Sequence, residues 1–267
     1  MKKLLLLSAA IVIASSLSAQ FYAGFGAGYS MGASKRANGV QYDSEATQTN
    51  IYGSYGQGLN LNLKLGYMFN DNIGFELGTS YLLGATQTKH DASTSIGDPA
   101  GYMIPAGTVK ATSNGLRLSP QLLLKTESGL YSRVGIIIPV MGKTVVEYDL
   151  NVALNTQLTA TEEYHGSFSM GIIGAIGYSY AFADNMDLFA ELEYIGMSIK
   201  SGTAEYTKYE MNGTDQLEKM TTSAKETEFV DEVKATDNTS TDEPTKELRQ
   251  EAPFSSFGLN IGIVMKF

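Results

Sequence analysis

The chain has 267 residues, no cysteine, no tryptophan and a formal charge of −9. That charge argues against nucleic acid or an anionic membrane surface as a partner, and the lack of cysteine removes disulfides and thiolate metal sites. With only His90 and His165 available, a histidine metal cluster is unsupported, so neither a metal nor a cofactor is expected.

Met1-Lys2-Lys3, the apolar run Leu4 to Ile13 and the small residues up to Ala19 have the form of a secretory signal peptide. Its core of about ten apolar residues is short of the ~20 that a spanning helix needs. Residues 1–19 are therefore read as a cleaved signal and 20–267 as a single domain; losing Lys2 and Lys3 takes the charge from −9 to −11. Every later apolar stretch is interrupted by Gly, Asn, Ser or a charge, which excludes a spanning helix.

From residue 21 onward the apolar residues recur with a period of two, the mark of strands with two different faces. The first segment sets Phe21, Phe25 and Tyr29 against Gly24, Gly26 and Gly28. The second sets Leu59, Leu61, Leu63 and Leu65 against Asn60, Asn62 and Lys64, and after Asn70-Asp71-Asn72 the third sets Ile73, Phe75 and Leu77 against Gly74, Glu76 and Gly78. Leu116 to Leu124 forms the fourth, with Arg117, Ser119 and Gln121 on its polar face, and Tyr131 to Ile138 the fifth, with Arg133 on its inner face. Phe168 to Phe182 is the sixth, and Asp187 to Tyr194 the seventh, carrying Asp187, Glu191 and Glu193 on one side. The eighth sorts Phe257, Leu259, Ile261, Ile263, Met265 and Phe267 from Gly258, Asn260, Gly262, Val264 and Lys266.

The connections alternate: tight turns separate segments two and three, four and five, and six and seven, whereas 32–58, 84–113, 140–166 and 196–254 are long. This is the plan of an all-β, eight-stranded antiparallel up-and-down transmembrane β-barrel. Its turns and both termini would be periplasmic and its long loops extracellular. Because lipid cannot satisfy backbone polar groups, the eighth strand must close onto the first. The outer face meets hydrocarbon, with Tyr67, Phe69, Tyr180, Phe182 and Phe267 as an aromatic girdle at the periplasmic side. Inside, the cations Lys64, Arg117, Arg133 and Lys266 balance the anions Glu76, Asp187, Glu191 and Glu193. An eight-stranded barrel is filled by its side chains, so these eight are read as a closed, salt-bridged lumen network. Inward glycines of strands one and six leave room for Tyr22, Arg117 or water.

The Gly24-x-Gly26-x-Gly28 strand, the eight alternating strands and the terminal Phe257-to-Phe267 segment resemble the OmpA/OmpX-type outer membrane β-barrel domain. The resemblance implies a location in the cell outer membrane among its lipids. It further implies recognition of the last strand (Phe257, Ile263, Met265 and the terminal Phe267) by the barrel-assembly machinery. The expected function is a non-enzymatic surface protein with a structural or adhesive role, meeting an extracellular protein or surface ligand through its loops. The alternative is a narrow, OmpW-like channel for small solutes. A third reading rests on His165-Gly-Ser167, whose spacing resembles that of the lipid A deacylases; the strand register sets both residues inward, and no acid is identifiable to orient the histidine. Glu162 and Glu163 read as solvated loop carboxylates. Alternation continues through Thr144 to Tyr164 and Ser201 to Tyr209, so strands five to seven are expected to rise beyond the membrane and offer an edge to a partner strand. Met211 to Pro253, poor in apolar residues, reads as a mobile, acidic loop.

Overall fold

The computed structural model describes residues 20–43, 45, 47–97, 103–153 and 155–267; the signal peptide expected at 1–19 lies outside them. Eight strands form the barrel: β1 (Gln20–Gly32), β2 (Gly58–Met68), β3 (Ile73–Gly84), β4 (Ala106–Lys125), β5 (Leu130–Ala153), β6 (Gly171–Ala183), β7 (Met186–Gly196) and β8 (Ser256–Lys266). Each pairs antiparallel with the next in chain order. The ring is closed by β1 on β8, from Tyr22 opposite Lys266 to Gly32 opposite Ser256. Closure leaves neither the first nor the last strand with a free edge to face lipid, which is the condition for a sheet to span hydrocarbon.

The period-two pattern settles which face each residue takes. Leu61, Leu63, Leu65, Phe75, Leu122, Ile176, Leu188 and Ile261 are all exposed on the outer surface, whereas Asn60, Asn62, Lys64, Glu76, Gln121 and Asn260 are buried inside. A soluble protein would invert this arrangement. Near the turn end the outer aromatics meet one another: Phe21 packs on Tyr67 with ring centroids 4.8 Å apart, and Tyr67 on Phe69 at 5.4 Å. Phe257, Ile263, Met265 and Phe267 all face outward.

Inner glycines make space for inner aromatics, though not in the combination the sequence suggests. The Tyr22 ring occupies the space above Gly66 of β2, Tyr131 lies over Gly177 of β6, and Phe189 lies against Gly26 and Gly262. Gly28 serves a different end. A side chain there would run into Asn260 and the Leu259 carbonyl on β8, so the closing seam needs its absence.

The ranges 84–113 and 140–166, expected as loops, are largely strand. The far halves of β4 and β5 pair from Gly142 opposite Gly115 to Asn151 opposite Ala106. Thr156–Gly166 folds back along β5, and Ser198–Met211 pairs with it. On the other flank Gln87–Ala92 pairs with β4, Ala37–Tyr42 with Gln87–Ala92, and Gln48–Tyr52 with Ala37–Tyr42. The raised sheet therefore draws on four of the connections and not on strands five to seven alone. Nor is Met211 to Pro253 a free coil. Glu226–Val230 pairs with Ser198–Met211 and, in parallel, with Thr245–Leu248. Its few apolar residues explain the docking, because Phe229 is buried and stacks on Tyr164 at 6.1 Å. The edges of Thr156–Gly166 and Ser198–Met211 are thus taken by the chain itself.

Candidate functional site

The interior has three levels. At the turn end Asp187 accepts hydrogen bonds from Lys266 (2.7 Å), Ser179 (2.8 Å) and Lys125 (3.3 Å). Lys125 belongs to this group although its place beside the turn hid it in the sequence. Above it Arg133 bridges Glu76 at 2.6 Å and Glu191 at 2.5 Å, with Glu193 at 3.7 Å, while Lys64 binds Glu191 at 2.9 Å. Tyr22 donates to Glu76 at 2.8 Å and Tyr131 to Glu191 at 2.7 Å. These two phenols occupy lone pairs that cations leave free, and they come from positions that read only as inward aromatics. Every ionic side chain of the middle level is at most 8% exposed. Charges this dry are tolerated only when paired and hydrogen-bonded, so the middle level is a plug.

Arg117 stands apart from the network to which the sequence assigned it. Its Nε donates to Ser80 Oγ at 3.1 Å and its Nη2 to the Asn60 side-chain oxygen. Among the described residues no carboxylate comes within ion-pair distance of it, and Nη1 has no partner although the residue is only 3% exposed. The middle level holds two cations and three carboxylates, so Arg117 balances its charge from above without touching it.

Above the plug the interior turns apolar. Leu82, Ile137, Ile173, Ile195 and Met197 are buried with Tyr55, Val146 and Phe254. Beside them lies a cavity of about 1610 Å³ that reaches from Arg117 and Leu82 at the barrel interior to Ile138–Lys143 on one side and His165–Phe168 on the other. That outward reach follows from an interruption in the wall. The β5–β6 ladder ends at Ile137 opposite Gly171, and β5 next finds a partner on that side at Thr144 opposite Tyr164. Pro139 has no N–H to donate, and the register with β4 slips between Pro139 and Met141, so Val140 is an extra, bulged residue. Facing it, residues 166–169 turn to the other neighbour: Ser167 N–H donates to the Lys200 carbonyl at 2.8 Å, and Lys200 N–H to Ser169 Oγ at 3.0 Å. Six residues of β5 thus lack a ladder partner on this side, a window about 20 Å long at the usual rise per residue. Its rim exposes Val140, Met141, Phe168 and Met170.

The His165-x-Ser167 pair is not an assembled nucleophile and base. His165 is exposed, contrary to the inward position expected, because inward residues on Thr156–Gly166 are the even ones, among them Ala160 and Glu162. Ser167 Oγ instead accepts from Arg249 at 2.7 Å. Glu162 also departs from expectation. It is buried and accepts from Tyr148 at 2.8 Å and Tyr164 at 2.9 Å, whereas Glu163 pairs with Lys143 at 2.7 Å.

A closed, all-antiparallel ring with an apolar exterior and a charged, filled interior defines a transmembrane β-barrel. The family model described as outer membrane protein beta-barrel domain matches residues 4–224, and the chain belongs to that family, whose place is the outer membrane. Among solved structures it is similar to the surface protein NspA of Neisseria (14% identity, 92% of this chain and 97% of that one, TM-score 0.36). It is also similar to the outer membrane protein OprG of Pseudomonas aeruginosa (13% identity, 93% and 95%, TM-score 0.40). No curated protein matches it.

Proposed function

We propose that this chain is a non-enzymatic uptake protein for small apolar or amphiphilic solutes. The solutes enter at the long-loop end and leave sideways into lipid through the β5–β6 window. One observation carries the reading: the cavity runs from the loop-end interior to that window, while the lumen beneath it is blocked by buried ion pairs. A polar, side-chain-filled lumen gives an apolar solute no axial path, whereas the exposed apolar rim favours its transfer to hydrocarbon. In this reading the turns and both termini are periplasmic, and the outward Phe257, Ile263, Met265 and Phe267 meet the barrel-assembly machinery during insertion. The loop-mediated adhesive reading keeps one support: Gln48–Tyr52 pairs with Ala37–Tyr42 on one side and, among the described residues, with no strand on the other, so it can take up a partner's strand.

The test uses the absence of native cysteine. Met141→Cys and Phe168→Cys stand on opposite rims of the window and are both exposed. Joining them with a cleavable bifunctional thiol reagent is expected to stop uptake of a fluorescent long-chain alcohol into cells producing the protein, and cleavage to restore it. Uptake undiminished by the closed link would refute the sideways route, and uptake no greater than in cells lacking the barrel would refute the reading altogether.

A further inference from the structure

The solute class is written in the charge and the unfilled hydrogen-bond donors of the same cavity, an argument that rests on the uptake reading. In a chain of formal charge −9, the cavity is lined by the cations Arg36, Lys89, Arg117, Lys143, Lys200 and Arg249 against the carboxylates Glu247 and Glu251. Lys143 and Arg249 are engaged with Glu163 and Asp231. Among the described residues Arg36, Lys89, Arg117 and Lys200 have no carboxylate within ion-pair distance. Lys89 lies 5.7 Å from the Tyr55 ring, and Arg36 donates to the Glu251 carbonyl at 2.9 Å. Among the described residues the two buried donors without an acceptor at the cavity, Arg117 Nη1 and Asn38 Nδ2, are N–H groups that an anionic oxygen would satisfy.

We propose that the cavity binds a single-chain amphiphile with an anionic head, the head against the Arg117 guanidinium and the chain past Leu82 toward Ile138, Val140 and Phe168. Arg117 lies inside the wall, so the head must enter the barrel. A free carboxylate on one chain can do this, entering from the loop end with its tail then reaching into the window; a lipid with several chains and a large head cannot. Positive rim residues draw the head in from the loop end, and the floor guanidinium holds it with bonds shared among Ser80, Asn60 and the incoming oxygen.

The test compares equilibrium binding of dodecanoate, dodecanol and dodecyltrimethylammonium, which share one tail, to the protein in phosphatidylcholine nanodiscs. Dodecanoate is expected to bind at least about tenfold more tightly than dodecanol, the low end for a hydrogen bond to a charged group. Arg117→Gln is expected to bring dodecanoate to the affinity of dodecanol and leave dodecanol unchanged. Should that variant fail to assemble, Lys89→Gln with Lys200→Gln on the rim is expected to weaken dodecanoate alone and to flatten its salt dependence. Equal binding of all three probes overturns the anionic preference while leaving uptake standing, and binding of none overturns the uptake reading. Displacement of dodecanoate by lipid A at equal or lower concentration overturns the single-chain assignment.

Discussion

Replacing Arg133 by Met is the most direct probe of the plug. The substitution keeps much of the side-chain volume but, among the described residues, leaves Glu76 without its only ion-pair partner and Glu191 with Lys64 alone. Side-chain exposures of 0–8% across these groups mean that the orphaned carboxylates cannot recover hydration. Breaking a buried pair from one side costs about 3–5 kcal/mol. With a urea slope of about 3 kcal/mol/M, the upper end for small proteins, the unfolding midpoint is expected to fall by about 1–2 M. The assay is urea titration of the refolded barrel in detergent micelles, followed by the difference in gel mobility between boiled and unboiled samples. Adding Glu76→Gln to Arg133→Met is expected to recover part of the loss, because a neutral amide is cheaper to bury than an unpaired carboxylate. A midpoint within about 0.2 M of the wild type, equivalent to about 0.6 kcal/mol, would refute the claim that these pairs hold the plug together.

Two further outcomes test other levels of the structure. Gly28→Val places a branched side chain against Asn260 and Leu259 across the β1–β8 seam, whereas a Cβ at Gly24 comes no nearer than 3.2 Å to a Val264 methyl and 3.4 Å to Lys64 Cβ; loss of the unboiled gel form is expected for Gly28→Val and not for Gly24→Ala, and equal behaviour would count against a tight seam. In the raised sheet, burial followed by nearby Tyr164 and Glu162 raises the Tyr148 phenol, burial and Glu162 raise Tyr164, and burial, with Glu162 next, pushes Tyr206 up to about 12. A phenol raised above its unfolded value of about 10 stabilises the fold fully below that pH, and the contribution is lost as pH climbs through the folded value. At about pH 11 Tyr148→Phe should therefore leave the tyrosinate absorbance of the folded protein unchanged, and a decrease worth one tyrosine would show that Tyr148 ionises freely.

How much of this was legible in the sequence depends on the range of the interaction involved. Period two is a property of the single strand, so Leu59 to Phe69 or Phe257 to Phe267 declares its two faces without knowledge of any neighbour, and alternating connection lengths add the up-and-down order. Because lipid forbids an open edge, those local facts also imply closure. They further place Lys64, Glu76, Arg133, Asp187, Glu191, Glu193 and Lys266 inside. Which of them touch is another matter, since Arg133 meets Glu76 and Glu191 across the lumen from strands far apart in the chain. Arg117 carries the same inward signature and yet stands outside the network. The window is still less visible: Pro139 marks a weakness in the ladder, but only the pull of Lys200 on Ser167 and Ser169 takes the opposing strand away from it. Sequence alone thus determined the barrel, its two faces and the set of charges buried in it. The tertiary structure decided the pairing of those charges and the opening in the wall, because both depend on distances between strands that no single strand encodes.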